Sequence, residues 1–185
     1  TPVRQLLSEG GQVVGAVVRH RGRDTEIRAT RGVVLACGGF PHDPVRIAQL
    51  FAHAPTGREH RSAAPPSNTG DGLRLGEAVG AVVETEMPAG AGWAPVSLVP
   101  RRDGSVGHFP HLVERAKPGL IAVTPAGARF VDEAGSYYDF MAALFAAMPD
   151  GAPVEAWLIC DHRFIRRYGL GHAMPAPLPL GPSLR

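Results

Sequence analysis

The nine residues GVVLACGGF, at positions 32–40, form a continuous apolar run that ends in paired glycines. Such a run is typical of a strand buried on both faces, an environment that parallel sheets provide. Glycines at the carboxyl end of a buried strand let backbone amides approach a phosphate or ribose. Taken alone, however, Gly38 and Gly39 are more often a simple chain turn. The run therefore favours an α/β architecture and leaves a ligand role open.

Neighbouring segments predict further elements of an α/β unit. Three short Val-rich or alternating segments precede the run, and the turns SEGG and HRGRD between them indicate an antiparallel meander. Asp43 and Pro44 mark the start of a helix, because aspartate caps helices and proline suits the first position. A second helix is predicted from Asp71 to Gly80, followed by a short strand in AVVETEM.

The second half of the chain has a different pattern. Gly, Ala and Pro dominate from Pro88 to Pro100, which predicts a hinge or linker. PGLIAVTPAGARFVDE predicts a β-hairpin with its second strand at Ala128–Val131, and YYDFMAALFAAM predicts a helix. PVEAWLICD predicts a strand, and a short helix follows between Asp161 and Gly169. Together these elements predict an α+β unit joined to the α/β unit.

Composition excludes several classes of protein. The net charge is +2 with interspersed charges, so the chain lacks the basic surface typical of nucleic-acid binding. The two cysteines, Cys37 and Cys160, form neither a disulfide framework nor a metal-ligand spacing. No apolar run approaches the ~20 residues of a membrane span, and no secretory leader opens the chain. We therefore expect a soluble, cytoplasmic protein without a metal.

Both ends suggest an excised piece of a longer protein. The chain opens inside a strand pattern without an initiator methionine and stops in the proline-rich PLPLGPSLR. Neither G-x-G-x-x-G nor G-x-x-x-x-G-K-[ST] occurs in it. If a dinucleotide binds, its pyrophosphate loop is therefore expected outside these residues.

The segment SNTGDGLRLGEAVGA places Asp71 between two glycines at a helix entrance. Free amides and the helix dipole stabilise a carboxylate there by roughly 0.3–1 kcal/mol, which alone would explain Asp71. Gly70 and Gly72 each cost about 0.5–1 kcal/mol relative to alanine in regular backbone. Another interaction must offset this cost, and the close approach of a flat ligand or its ribityl chain is one candidate.

Two polar segments of the second half are further candidates for a site. FVDEAGSYYDF contains two adjacent tyrosines beside acidic residues, which slightly favours a site, although Ser136 or Asp139 can simply cap the helix. GHFPHLVERAKPG contains His108, His111, Glu114 and Arg115, but Pro110 prevents a regular helical face and disfavours a metal site. Arg115 either pairs with Glu114, the commoner outcome, or contacts an anionic or carbonyl substrate.

The order of four segments carries a family resemblance. They are TPVRQLLSEGGQVVGAVV, GVVLACGGFPHD, TGDGLRLGEAVGA and KPGLIAVTPAGARFVDEAGSYYDF. In this order they closely resemble the FAD-dependent fumarate reductase/succinate dehydrogenase flavoprotein superfamily, and most of all its 3-ketosteroid dehydrogenase branch. The resemblance implies that residues 1–88 are the second part of a split Rossmann-like FAD-binding domain, a β-meander plus a parallel strand. Residues 89–185 would then be part of a mixed α+β capping domain.

The resemblance also implies contacts with FAD. Val3 matches a position whose backbone meets the adenine, and Ala36 and Gly38 match the strand end beside the cofactor. Asp71 matches the acidic cofactor contact of TGDG, so the flavin nucleotide is the implied neighbour of its two glycines. Because half of the cofactor cradle would be absent, residues 1–185 alone are expected to bind FAD weakly and to be inactive.

Further matches imply a substrate site. Tyr137 falls where ketosteroid dehydrogenases carry an active-site tyrosine. The family motif RF-x-N-E reads Arg129 to Glu133 here, with Asp132 in place of asparagine. Arg115 lies near a position where fumarate reductases need arginine, although this match requires a gap.

The implied activity is the introduction or removal of a C–C double bond next to a carbonyl in a small, steroid-like substrate. Tyr137 would take a proton, and flavin would accept hydride. A free tyrosine has a pKa near ~10, so such a base needs a cationic or strongly hydrogen-bonded environment. One alternative is fumarate reduction, with Arg115 as acid or as clamp on a dicarboxylate. Another is an inactive folded module that self-associates through an exposed apolar face.

Overall fold

The structure, a computed structural model, describes residues 1–86 and 90–179. The chain divides into two compact units, and a few residues near position 62 group with the second. The predicted boundary between residues 88 and 89 lies outside the described residues. The assignment of the units to an FAD-binding part and a cap stays a prediction. Unit 1 comprises Thr1–His60 and Ala64–Gly90, and unit 2 comprises Arg61–Ala63 and Ala91–Arg185.

Unit 1 begins with a three-stranded antiparallel sheet, which confirms the predicted meander. Gly10 and Gly11 both have positive φ, at 57° and 80°, in the turn between the first two strands. This left-handed backbone is what glycine tolerates best, and the SEGG sequence indicated it. The strands are β1 (Val3–Glu9), β2 (Gln12–His20) and β3 (Arg23–Arg28).

The apolar run at 32–40 forms no strand in the structure, and this part of the prediction is corrected. A central parallel strand needs partners on its edges, and no strand within the described residues pairs with it. Val34 is therefore 89% exposed instead of buried. The same holds for the strand predicted in AVVETEM, where Val82 is 93% exposed and Met87 lies outside the described residues.

Two short helices complete the described part of unit 1. The Asp43 side chain accepts a hydrogen bond from the Arg46 amide at 3.2 Å, which confirms the predicted cap. The second helix ends earlier than predicted, although Gly80 has the expected left-handed backbone, with φ of 90°. A salt bridge joins the two helices, with Arg46 Nη2 2.7 Å from Glu77 Oε2. The helices are α1 (Pro44–Leu50) and α2 (Asp71–Glu77), and the core beside α1 contains Ile47, Phe51 and Ala54.

Within its described residues, unit 2 contains two separate two-stranded antiparallel sheets. The first, a hairpin, lies partly in the segment predicted to be a linker, where the richness in Gly and Pro concealed it. The second pairs two strands that are separated by a helix. A short 3₁₀ turn at Glu114–Ala116 connects the two sheets. The strands are β4 (Val96–Pro100), β5 (Val106–Pro110), β6 (Leu120–Val123) and β7 (Trp157–Cys160).

The hairpin predicted after position 118 is corrected in its second half. Ala128–Val131 forms no strand, and only one bridge joins Val123 to Arg129. β6 instead pairs with β7, in a register that places Ile121 opposite Ile159. The local turn did form, because the Gly127 amide donates to the Thr124 carbonyl at 2.8 Å.

The core of unit 2 lies between the β6–β7 sheet and the longest helix. Phe140 and Leu144 on that helix are almost fully buried against Ala122 of β6. Burial of a side chain of this size contributes roughly 1.5–3 kcal/mol. Within residues 1–86 and 90–179, no helix combines the length and apolar character required to cross a membrane. The remaining elements are α3 (Tyr137–Ala147) and α4 (His162–Tyr168).

Candidate functional site

The two glycine-bearing segments of unit 1 pack against each other. The Gly70 amide donates to the Gly39 carbonyl at 3.1 Å. A Cβ atom at Gly38 would lie 2.8 Å from Asn68 Oδ1, and one at Gly72 would lie 2.8 Å from Cys37 Sγ. Both distances are shorter than van der Waals contact. Part of the requirement for glycine therefore comes from the close approach of the chain to itself, which the sequence analysis had not considered.

Asp71 occupies the first position of α2, where its carboxylate is 64% exposed. Its Oδ1 accepts hydrogen bonds from Arg74 Nη2 at 2.5 Å and from Thr69 Oγ1 at 3.2 Å. Arg74 also donates to Asp43 Oδ2 at 3.0 Å. The second oxygen of Asp71 therefore remains able to accept a bond from a ligand.

The other three predicted cofactor residues also lie in unit 1. Val3 begins β1 and is 43% exposed, and β1 contacts α2. Ala36 is exposed, next to Leu35, which is 42% exposed. Gly38 has φ of 87°, which a residue with a side chain rarely adopts.

These features are compatible with the flavin nucleotide that the sequence resemblance implied beside Asp71. An apolar strip at residues 34–36 is open to a flat ring, and the exposed carboxylate of Asp71 can accept a hydrogen bond from a hydroxyl of the ribityl chain. The pyrophosphate lacks a comparable cradle within the chain, because no G-x-G-x-x-G sequence occurs in it. The fit thus concerns parts of FAD other than the pyrophosphate.

In unit 2, Tyr137 is the first residue of α3 and is 42% exposed. Ser136 caps the helix, because its Oγ accepts a hydrogen bond from the Asp139 amide at 3.0 Å. In the part of the chain that the structure describes, the Tyr137 hydroxyl has no hydrogen-bond partner. The side chain is therefore open to a ligand, and Tyr138 beside it is 39% exposed.

Arg115 is 1% exposed, which makes it one of the largest fully buried side chains in the described residues. Its Nε donates to the His111 carbonyl at 3.1 Å, Nη1 to the Glu133 carbonyl at 2.5 Å and Nη2 to the Gly135 carbonyl at 2.9 Å. The guanidinium also lies 5.3 Å from the centre of the Phe140 ring. Burial lowers the pKa of Arg115, but an arginine remains charged at neutral pH. Each of its three nitrogens thus donates a hydrogen bond to a carbonyl of the protein's own backbone.

Glu133 is buried beside the same loop, at 5% exposure. Its carboxylate accepts bonds from the Ala122 amide at 2.7 Å and from Arg129 Nη2 at 2.6 Å. Burial alone would raise the pKa of Glu133, but these hydrogen bonds lower it to about 2. Asp132, which replaces the family's asparagine, is exposed and accepts a bond from the Ala134 amide at 3.0 Å. An asparagine oxygen could accept the same bond.

A buried polar chain supports the 3₁₀ turn. His111 is 2% exposed, and its Nε2 lies 2.6 Å from Ser97 Oγ while its Nδ1 lies 2.5 Å from Glu114 Oε1. Burial lowers the pKa of His111 despite the bond to Glu114. Sequence analysis singled out His111 and Glu114 but missed Ser97, because it lies in the segment predicted to be a linker. Among the described residues, no cluster of histidine, cysteine and acidic side chains could hold a metal ion.

A family comparison fits this arrangement. Residues 1–174 match the family described as "FAD binding domain", which is nearly the whole chain. The chain belongs to the FAD-binding domain family. This membership supports the resemblance that four ordered segments had indicated.

Relatives within the FAD-binding domain family include dehydrogenases of ring ketones. Over 98% of its length, the chain is 35% identical to 4-oxocyclohex-2-ene-1-carboxylate 5-dehydrogenase of Sinomonas cyclohexanicum. Over 91% of its length, it is 35% identical to 3-oxosteroid 1-dehydrogenase of Mycobacterium tuberculosis. The chain spans 30% of the length of each of these relatives.

The chain is also similar to solved structures. The crystal structure of 3-ketosteroid Δ1-dehydrogenase from Sterolibacterium denitrificans, in complex with 1,4-androstadiene-3,17-dione, has a TM-score of 0.77 and 32% identity. The match covers 96% of this chain and 32% of that one. A flavocytochrome c3 fumarate reductase in its open conformation has a TM-score of 0.52 and 26% identity, over 89% of this chain and 27% of that one.

Proposed function

We propose that the protein carrying this chain is an FAD-dependent dehydrogenase that acts on a C–C bond next to a ring carbonyl. The observation that carries the proposal is the 35% identity to an oxocyclohexene dehydrogenase over 98% of the chain. The oxosteroid dehydrogenase relatives support the same chemistry, because their names also specify a ketone. The proposed substrate is therefore a small cyclic ketone, steroid-like or simpler.

Tyr137 is the proposed proton acceptor. Its Oη would take the proton from the carbon next to the carbonyl, and the C–C double bond would form as hydride leaves the neighbouring carbon. FAD, when bound, supplies the hydride acceptor. The exposure of Tyr137 at the start of α3 supports this role, because its side chain is open to a substrate. The required cationic or hydrogen-bonding neighbour is not Arg115, whose donors are bonded to backbone carbonyls.

The cofactor half of the proposal concerns unit 1. Residues 1–88 would be the second part of a split Rossmann-like FAD-binding domain. In it, the backbone of Val3 would meet the adenine, Ala36 and Gly38 would lie beside the cofactor, and Asp71 would contact the flavin nucleotide. Residues 89–185 would belong to the cap. Titration of FAD into the isolated 185-residue chain tests this division. Weak binding is expected, and tight stoichiometric binding would show that no further part of the cradle is required.

Fumarate reduction requires cationic side chains that grip a dicarboxylate. In the structure, Arg115 is unsuited to such a contact because it is buried and its guanidinium bonds three carbonyl groups. The geometry therefore favours the ring-ketone reaction. The two reactions separate in the complete protein: a ring ketone would reduce the flavin in one case, and fumarate would reoxidise reduced flavin in the other.

A further inference from the structure

We propose that Arg115 is a positioning residue that fixes the loop at 133–136 and, through it, the direction in which α3 presents Tyr137. The part that concerns the loop rests on the geometry of unit 2 alone. The part that concerns turnover rests on the proposed function, because it requires Tyr137 to contact the substrate.

The contacts of Arg115 bridge two parts of the chain that are distant in sequence. Its Nε bonds the His111 carbonyl, four residues before it, at 3.1 Å. Its Nη1 and Nη2 bond the carbonyls of Glu133 and Gly135, which lie 18 and 20 residues later. The guanidinium thus joins the 3₁₀ turn to the loop that precedes α3. The last of these carbonyls lies just two residues before Tyr137.

This position requires an arginine. Each of the three side-chain nitrogens donates to a different carbonyl group, and the planar guanidinium offers five N–H donors in a fixed fork. A lysine at Arg115 would keep the charge but could not reproduce the three bonds together. A charge at 1% exposure is also costly unless it is compensated. The backbone oxygens and the face of Phe140, 5.3 Å away, provide that compensation.

The loop has a second anchor in the side chain of Glu133. Its carboxylate bonds the Ala122 amide of β6 at 2.7 Å, while its own carbonyl bonds Arg115. Glu133 is therefore held at both its backbone and its side chain. Within the loop, the Gly135 amide donates to the Asp132 carbonyl at 3.1 Å, and Ser136 caps α3. Hydrogen bonds thus connect Arg115, through the carbonyls of Glu133 and Gly135, to the residue before the Ser136 cap of α3.

Amide hydrogen exchange tests the loop directly. In the complete protein, Arg115→Lys is expected to accelerate exchange at residues 133–139 by about tenfold or more, because buried bonds to a charged donor are lost. Arg167→Lys is the matched control, since Arg167 is an exposed arginine of the same unit without a bond to this loop. Unchanged exchange in Arg115→Lys would overturn the proposal.

The wild-type protein provides a measurement that does not depend on the folding of a variant. If Arg115 holds the loop, the amides of Gly135 and Asp139 exchange far more slowly than that of Arg102, which lies in the exposed turn between β4 and β5. Equal rates at these positions would overturn the proposal as well.

A double-mutant cycle tests the path through Tyr137. Arg115→Lys is expected to lower kcat for a ring ketone by about tenfold with a smaller change in KM, and to have no further effect in the Tyr137→Phe background. If Arg115→Lys instead raises KM, and does so in the Tyr137→Phe background as well, Arg115 contacts the substrate directly. That result would overturn the positioning role. If Tyr137→Phe leaves turnover unchanged, the proposed function of Tyr137 fails, while hydrogen exchange still decides whether Arg115 holds the loop.

Discussion

Gly72 in α2 faces Cys37 so closely that a Cβ atom built on the glycine would lie 2.8 Å from the cysteine sulfur. Gly38 faces Asn68 in the same way, so the two segments meet at two glycines. This packing accounts for Gly72, and the left-handed backbone of Gly70, with φ of 81°, accounts for the glycine on the other side of Asp71, both without reference to a ligand. It also brings α2, which begins at Asp71, close to the apolar strip at 34–36, because Cβ atoms built on Gly72 and Gly76 would lie within 4.0 Å of Leu35.

Gly72→Ala is expected to change the free energy of unfolding by less than about 1 kcal/mol, because the added methyl group displaces the sulfur of Cys37, an exposed side chain that can rotate away. Alanine inside a helix is otherwise favoured over glycine by about 1 kcal/mol, and the contact with Cys37 offsets part of this gain. Chemical denaturation measures the change. Cys37→Ala should recover most of the gain in the Gly72→Ala protein. Gly76→Ala is the matched control in the same helix, because a Cβ there makes ordinary contacts of 3.4 Å or more, and it should be neutral or stabilising.

Glu133 is expected to make stability fall in acid. Its pKa in the folded protein is about 2, below the ordinary 4.5, so the ionised group stabilises the fold above pH 4.5. This contribution, about 1–3 kcal/mol, is lost as the pH falls from 4.5 through 2. Glu133→Gln should be less stable than wild type at neutral pH and should show a flatter pH profile in this window. Parallel profiles for the two proteins would contradict the assignment.

His60 is expected to make stability depend on pH in a higher range than Glu133 does. Burial, followed by the charges of His53 and His42, lowers its pKa from 6.5 to about 4. The unfolded chain therefore binds the proton more readily, so stability is complete above pH 6.5 and declines as the pH falls from 6.5 to 4. His60→Gln should flatten the unfolding profile of unit 1 in that range. A wild-type profile that is already flat there would contradict the prediction.

The isolated 185-residue chain is expected to self-associate, because Val34 and Val82 are 89% and 93% exposed. Replacement of both valines by asparagine should shift the species seen by light scattering towards the monomer. Thr56→Asn, an exposed substitution in the same unit, serves as the control and should leave the distribution unchanged. A wild-type chain that is monomeric at high concentration would contradict the prediction.

Local signals were sufficient for the features that depend on neighbouring residues. Asp43, Ser136 and Asp161 cap their helices as their positions in the sequence indicated. In contrast, whether an apolar run is a buried strand depends on partner strands elsewhere, and residues 32–40 find none among the described residues. β4 and β5 were missed because proline and glycine are also the residues of linkers.

The same distinction between local and distant contacts applies to the residues of the candidate site. Tyr137 was identified from its place at a strand end and helix start and from its match to a family position. The burial of Arg115 could not be read from the sequence, because it depends on carbonyl groups 18 and 20 residues further along the chain. A charged residue beside a proline and a glycine is indistinguishable from a surface arginine until those contacts are known.

The most direct test mixes the complete, oxidised flavoprotein with a ring ketone in the absence of oxygen and follows the flavin absorbance. If the protein is a ring-ketone dehydrogenase, the absorbance bleaches rapidly, and Tyr137→Phe slows bleaching by about 100-fold or more without loss of bound FAD. Two results together would contradict the proposed ring-ketone dehydrogenase activity. The flavin would stay oxidised with 3-oxosteroid and 4-oxocyclohexanecarboxylate substrates, and fumarate would reoxidise the reduced protein.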